Sequence, residues 1–419
     1  MTAKETGALE VVRDEKIEPK RAGEIGFGDL IAPLTPDVFF SEYWEQKPLV
    51  TRGRARGFFA PLFSTQDVDR AICYLKPGPG RLDLVTEGGF VRDNFLGPDG
   101  AANINLVYES YLKGSTVILS GLEETWETLA VFSRRVEGLL SHPVAIAVYL
   151  TPPNHRGVQP HFDTQENFIL QVEGVKHWKL YPPLRELPPV EGSYMPVPRE
   201  KLPAPLCETE LHPGDMLYVP RGFVHEAKAA DSASLHITVD VHVRTWHDLL
   251  SDALAAMAAR EPTLRKSLPP GLLSNDRSRA SLEAGFRELM GLLPHEVRLS
   301  DALNKHAEKL IVSRPPPPDG HFAMLHADIG LNTPLRKRAA MLTRLLQEEG
   351  LGGIQFSGNQ ILGPAKIAEA TRYIDESRVV VPAHLPGGLS DNEKLVLVRR
   401  LVRVGLLTLA REESAEDKQ

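Results

Sequence analysis

The sequence predicts an α+β protein in which a β-sandwich or barrel comes first and helices follow. Between residues 144 and 245, short apolar runs alternate with Pro and Gly turns. These runs are Ala145–Leu150, Phe168–Val172, His177–Tyr181, Met216–Val219 and Leu235–Val243, the pattern of a sandwich or barrel. After Thr245 the period changes. Trp246, Leu249, Leu250, Leu254 and Met257 fall on one helical stripe, and Leu282, Phe286, Leu289, Met290 and Leu293 on another. Such stripes pack either on their own domain or against a second copy of the chain.

A chain of 419 residues is long enough for two or three domains. Its 42% hydrophobic and 25% charged residues are those of a protein that buries a sizeable core. A net charge of −7 gives no bulk attraction to nucleic acid or an anionic membrane. The longest apolar runs, Val144 to Leu150 and Leu401 to Leu409, are too short to span a bilayer. The N-terminus is charged throughout and lacks the apolar core of a signal peptide. Two cysteines, Cys73 and Cys207, imply no disulfide framework. A cytoplasmic, reduced setting is expected.

In order along the chain, residues 1–25 read as a flexible tail. From Phe27 a helix precedes a short strand: Thr35-Pro36 supplies a cap and a first-turn proline, and Phe39, Phe40, Tyr43 and Trp44 recur at helical spacing. Short β-like runs fill 81–121, and a helix occupies about 122–140. Pro315–Pro318 is a stiff spacer and an expected domain boundary. Beyond it helices alternate with short strands. The clearest helix starts at Ser390 with Glu393 three residues on, a capping box, and turns Leu395, Val398, Leu401 and Val402 inward before Gly405 ends it.

The chemistry lies in two strings. The first is His161-Phe162-Asp163, whose first and third side chains share a face if the segment is a strand. The second, Gly214 to His225, has the form G-x5-P-x-G-x2-H, the spacing of the second motif of a cupin β-barrel. A His-x-Asp pair by itself more often lies on a surface than on a metal. Joined to the second string on a β-rich background, it points to a facial triad of two imidazoles and a carboxylate, the ligand set of non-haem Fe(II) oxygenases. His236 and His242 also fall on strand-like segments, where satisfied core or rim positions are expected. Lys176 follows a glycine turn fifteen residues after His161, on what is expected to be the neighbouring strand. An ammonium there needs a counter-charge, and a salt bridge to a dicarboxylate co-substrate is favoured over a solvent-facing lysine.

The stretches HFDTQENFILQVEGVKHWKLYPP, HPGDMLYVPRGFVHEA, VYLTPPN and YWEQKPL resemble the JmjC-type 2-oxoglutarate oxygenases, in particular the ribosomal oxygenase (cupin-4) branch. The resemblance covers about residues 27–410. It implies a double-stranded β-helix (a cupin/JmjC jelly roll) with a helical dimerisation segment and a C-terminal winged-helix-like domain. The chain then divides into a tail (1–25), a catalytic domain (26–245), a helical dimerisation domain (246–314), a winged-helix-like domain (319–410) and a charged tail (411–419). Carried over by position, His161, Asp163 and His225 are Fe(II) ligands, Lys176 binds the distal carboxylate of 2-oxoglutarate, and Tyr149 and Asn167 also contact that co-substrate. Two positions depart from the family. Ala147 stands where the branch carries Asn, and Asp240 where relatives carry Ser or Asn. A carboxylate at 240 repels 2-oxoglutarate unless it is protonated, turned away or bridged by water.

The implied activity is hydroxylation of a protein or peptide side chain, with a ribosomal-protein His or Arg as the family's analogy, by a homodimer. N-methyl-lysine demethylation by the same chemistry and a metal-binding cupin or scaffold without oxygenase activity are the alternatives. DNA binding is not expected, since residues 320–419 carry 13 Lys and Arg against 12 Asp and Glu.

Overall fold

Val144–Thr151 and Ser234–Val241 show how this chain builds a two-faced sheet. Val144, Ile146, Val148 and Leu150 alternate with Ala145, Ala147 and Tyr149, while Leu235, Ile237, Val239 and Val241 alternate with His236, Thr238 and Asp240. Side chains two apart on a strand share a face. The aliphatic sets therefore enter a buried core, and the other sets line an interior cavity. The protein is known here from a computed structural model, which describes residues 9–13, 17, 20–87, 89–91, 95–189, 194–273, 276–348 and 350–410. It divides into two compact units, one of Met1–Val243 with Pro317–Asp319 and one of Arg244–Pro316 with Gly320–Gln419.

The strands of the first unit are β1 (Glu10–Arg13), β2 (Leu49–Arg52), β3 (Leu82–Thr86), β4 (Gly89–Phe90), β5 (Thr116–Ser120), β6 (Val144–Thr151) and β7 (His161–Asp163). They continue with β8 (Glu166–Glu173), β9 (Lys176–Pro183), β10 (Tyr194–Pro196), β11 (Cys207–Leu211), β12 (Met216–Val219), β13 (Phe223–Ala229) and β14 (Ser234–Val241). A large sheet runs β1-β2-β12-β8-β14-β6-β5-β3-β4 and a small one β10-β7-β13-β9-β11. From β6 onward the chain alternates between them, except that β9, β10 and β11 all stay in the small sheet. β6, β8, β12 and β14 enter the large sheet, and β7, β9, β11 and β13 the small one, always antiparallel to their neighbours within that set. This winding is the double-stranded β-helix that the resemblance implied.

It also corrects one expectation. β9 is not the hydrogen-bonded neighbour of β8 but lies in the opposite sheet, between β13 and β11. Gly174, at φ +67°, makes the crossing, and a Cβ there would stand 2.0 Å from the Ala233 carbonyl oxygen, so the turn requires glycine.

Two layers of apolar side chains hold the unit together. Between the sheets, Val50, Ile169, Trp178, Leu180, Leu217 and Val219 pack as one cluster. On the outer face of the large sheet, the short helices α1 (Phe27–Ile31) and α2 (Pro36–Glu42) cover Phe168 and Tyr218. Thr35 caps α2 through its hydroxyl, with Pro36 in the first turn, as the sequence indicated. Phe39 then meets Phe27, Phe168 and Tyr218 at ring-centroid distances of 5.6, 5.7 and 5.0 Å, each pair adding roughly 0.5–1.5 kcal/mol beyond area burial. Because β8 is covered on both faces, it reads as a continuous apolar run rather than an alternating one. The helices α3 (Thr65–Arg70), α4 (Ile104–Leu112) and α5 (Glu127–Leu140) complete the unit. The helix expected from 122 begins at Glu127, after a 3-10 turn at Leu122–Glu124.

The flexible tail expected over 1–25 is not what the described residues form. β1 pairs parallel with β2 along Glu10–Arg13, and Glu10 accepts from the Lys47 ammonium at 2.9 Å. The free side of β2 supplies hydrogen bonds that the local sequence does not announce. Residues 1–8 lie outside the described residues, as does the charged tail 411–419.

In the second unit α6 (Trp246–Arg260), α7 (Asp276–Glu296) and α8 (Leu299–Ala307) precede β15 (Leu335–Lys337), which pairs with β19 (Leu407–Leu409). Between these two come the antiparallel sheet β16 (Thr343–Glu348), β17 (Leu351–Phe356) and β18 (Asn359–Pro364), then α9 (Ile367–Glu376) and α10 (Asp391–Arg403). The capping box at Ser390 and Glu393 is formed. α10 buries Leu397, Val398, Leu401 and Val402, whereas Leu395, expected inward, is half-buried. The break expected at Pro315–Pro318 is not where the chain divides. Ala307, Leu310 and Ile311 form one buried cluster with Leu342, which fuses the helical segment to the strands and helices beyond the prolines. Of the two stripes, Met257 is buried, but Trp246, Leu250, Leu254, Phe286 and Met290 stand exposed.

Candidate metal centre and co-substrate cavity

β7 and β13 are joined by a single register pair, His161 opposite His225. That pairing sets the two rings side by side, centroids 4.3 Å apart, and Asp163 lies two residues along β7 on the same face. Its Oδ2 is 3.6 Å from His161 Nε2 and 3.5 Å from His225 Nε2. Each ring offers its Nδ1 to a main-chain carbonyl, His161 to Gln159 at 2.8 Å and His225 to Phe223 at 3.1 Å. A carbonyl only accepts, so Nδ1 carries the proton and Nε2 presents its lone pair. Burial, then the facing His161, pushes the His225 pKa down to about 4. Burial opposes the charge on Asp163, but the two imidazoles and the Asn167 amide outweigh it and hold its pKa below the ordinary range. Two imidazoles and an anionic carboxylate with ligand atoms within 4.8 Å of one another suit a divalent transition metal.

The second string needs its glycines for this geometry. Gly222 sits at φ +87° and donates its N–H to the Asp163 carbonyl at 2.9 Å, tying the two strings together. A Cβ there would approach the Arg185 carbonyl oxygen to 2.5 Å. Gly222→Ala is therefore expected to lower unfolding stability by about 1–3 kcal/mol and to weaken metal affinity. A urea titration and a metal titration read both, and an unchanged urea midpoint would contradict it. Glu226, next to His225, accepts from Tyr181 at 2.7 Å, Arg156 at 2.6 Å and Arg199 at 2.9 Å. This clamp joins β13 to β9 and to the segments that carry Arg156 and Arg199.

The triad opens on a cavity of about 410 Å³ whose lining includes Tyr149, Asn167, Lys176, Trp178, His236 and Asp240. All three residues expected to contact the co-substrate thus line the cavity. Asn167 donates from Nδ2 to Asp163 Oδ2 at 2.5 Å, and its buried Oδ1 has no partner among the described residues. Tyr149 is stacked on His236, with centroids 4.8 Å apart and planes 6° from parallel. Lys176, 3% exposed, donates to Thr151 Oγ1 at 3.0 Å and lies 3.2 Å from His236 Nδ1. Burial pushes its pKa down to about 7. The buried indole N–H of Trp178 has no acceptor among the described residues. Asp240 lines the same cavity; burial, then the charges of Asp163 and Glu123, push its pKa well above the ordinary range. A raised pKa favours the neutral acid form, which would donate a hydrogen bond rather than repel an anion.

Sequence context alone assigns His236 a satisfied core or rim position. Its contact with Lys176 has no sequence signal, because β9 and β14 belong to different sheets and no spacing along the chain reports their approach. His242 lines the cavity as well.

Comparison with known proteins fits this geometry. Residues 124–249 match the JmjC domain. Ribosomal oxygenase 1 of Homo sapiens is 32% identical over 321 residues, 71% of this chain and 49% of that protein. The chain is a JmjC-domain protein homologous to the ribosomal oxygenases. Ribosomal oxygenase 2 of Mus musculus is 30% identical over 295 residues, 68% of this chain and 61% of that protein. The Drosophila persimilis bifunctional lysine-specific demethylase and histidyl-hydroxylase NO66 is 31% identical over 270 residues, 62% of this chain and 39% of that protein. The chain thus spans about half the length of the ribosomal oxygenase 1 relatives it matches. Among solved structures, YcfD, a ribosomal oxygenase from Escherichia coli in complex with cobalt and 2-oxoglutarate, aligns with a TM-score of 0.52 at 18% identity. The alignment covers 90% of this chain and 99% of that one. It shares the fold.

Proposed function

We propose that this JmjC-domain chain is an Fe(II)- and 2-oxoglutarate-dependent oxygenase that hydroxylates a side chain of a protein or peptide. The observation that carries the reading is Lys176, a buried ammonium in the same cavity as the triad that forms no ion pair among the described residues. An unpaired buried cation is costly, and a dicarboxylate spanning from the triad to Lys176 supplies the missing charge.

In this reading His161, Asp163 and His225, which line the cavity, would hold the metal. Lys176, held by Thr151, binds the distal carboxylate. Asn167 fixes the Asp163 carboxylate, and its unpartnered Oδ1 awaits a donor. Ile118, Ala147, Ile169 and Trp178 exclude water, while Phe90 and Tyr194 flank the opening for substrate. Bound Fe(II), with 2-oxoglutarate and O₂, supplies oxidation of a C–H bond coupled to decarboxylation of the co-substrate to succinate.

The relatives make a ribosomal-protein His or Arg the first substrate to try. The exposed residues Trp246, Leu250, Phe286 and Met290 support a homodimer through the helical segment, and β15–β19 with α9 and α10 stand where the winged-helix-like domain is proposed. The cytoplasm is the proposed location: Cys73 and Cys207 are unpaired, and no helix among the described residues is long and apolar enough to cross a membrane. Purified chain with Fe(II), 2-oxoglutarate and ribosomal-protein peptides is expected to release succinate and add one oxygen, roughly 16 Da, to a peptide. Failure to consume or bind 2-oxoglutarate would overturn the proposal.

A further inference from the structure

In the cavity lining the buried lysine ammonium is held by neutral groups. Lys176 meets Thr151 Oγ1 at 3.0 Å from β6, and His236 Nδ1 at 3.2 Å from β14. On its own strand the Trp178 ring lies 5.9 Å from its Nζ, and its sheet partners on β11 and β13 are the apolar Leu211 and Ala229. The titratable groups on this side are His236 and, stacked behind it, Tyr149. His236 is itself held from both sides, parallel to Tyr149 and edge-on to Trp178 at 5.6 Å. A charged ammonium only donates, so Nδ1 of His236 must be the acceptor and its ring proton resides on Nε2. Burial, then the charges of Lys176 and His225, keep the ring neutral.

We propose that His236 is a positioning residue for the dicarboxylate co-substrate: its Nδ1 lone pair, fixed by stacking on Tyr149 and by the edge contact with Trp178, holds the Lys176 ammonium charged and oriented to capture the distal carboxylate. This deepens the proposed function and rests on it. Two of the three Lys176 protons are used by Thr151 and His236, which leaves one for a carboxylate oxygen. The unpartnered Trp178 indole N–H is a further donor in the same cavity. Neutral acceptors stabilise an ammonium without cancelling its charge. A carboxylate of the protein in place of His236 would compete with the ligand. An imidazole does not.

The test compares wild type with His236→Phe, which keeps a ring between Tyr149 and Trp178 but has no acceptor, and His236→Asn, whose Oδ1 restores one. The readouts are the Kd of 2-oxoglutarate for metal-loaded protein across pH, metal affinity, and kcat against KM. His236→Phe is expected to raise the Kd by about tenfold or more, the weight of one hydrogen bond to a charged group. It is also expected to move the high-pH loss of binding about one unit lower, because the ammonium then deprotonates sooner. The kcat at saturating 2-oxoglutarate stays within about twofold, metal affinity is unchanged, and His236→Asn returns both Kd and pH profile toward wild type. His236→Phe with wild-type Kd and pH profile would overturn the inference while leaving the proposed function standing. So would a His236→Asn as impaired as His236→Phe, which would mark the ring as merely structural. If wild-type protein binds no 2-oxoglutarate, the proposed function fails and this inference with it.

Discussion

Asp163→Ala is expected to abolish metal binding at the triad and, with it, every trace of succinate formation. The carboxylate is the anionic member of a three-residue donor set, and its Oδ2 lies between the two Nε2 atoms at 3.6 and 3.5 Å. Losing an outer partner of a metal ligand already costs roughly tenfold to a hundredfold in affinity. Losing the ligand itself is expected to cost more than about a hundredfold. Asn167→Ala, which removes the 2.5 Å bond onto that same oxygen, should fall in the lower range. Calorimetric titration with manganese(II), paired with a succinate assay, separates the two variants. An Asp163→Ala protein that binds metal like wild type would refute the assignment of the triad.

Lys176→Ala should bind metal normally and lose 2-oxoglutarate by more than about a hundredfold, the usual cost of removing one partner from a buried charge pair. Quenching of tryptophan fluorescence can follow this, because Trp178 lines the same cavity. The pH dependence is a second, independent reading. In the ligand-free protein the Lys176 pKa falls from 10.5 to about 7, so between those values the unfolded chain holds a proton that the folded chain lacks. Stability from this group therefore rises with pH across that window, as the burial cost below about pH 7 is relieved. Co-substrate binding runs the opposite way. A dicarboxylate requires the ammonium, so affinity is greatest below about pH 7 and declines as the solution becomes more basic. Lys176→Ala should flatten both trends. A wild-type protein whose 2-oxoglutarate affinity increases between about pH 7 and pH 9 would contradict the pairing.

The triad is legible in the sequence because each half is a local pattern. His-x-Asp needs only the two-residue period of a strand, and Gly222 needs only its left-handed turn to deliver His225. Lys176 is legible as a chemical anomaly, a cation in an apolar run. The meeting of Lys176 with His236 is not, since it depends on two sheets closing over each other. The reach of Asp240 is half legible: its position flags a conflict of charge, and the easing of that conflict by a burial-raised pKa requires knowing how deep it lies. Similarly, Pro315–Pro318 looks like a hinge by composition, yet Leu310 and Ile311 pack against Leu342 across it. A stiff segment can stitch as readily as it separates.

Glu10–Arg13 closes one rim of the large sheet by running parallel to Leu49–Arg52. A version of the chain trimmed to start at residue 20 would leave the backbone donors and acceptors of that rim bare, beside the apolar Leu49 and Val50. A bare rim is a template for strand addition between molecules. Aggregation of a shortened protein would then reflect this lost cover, and would say nothing against the soundness of the barrel beneath it.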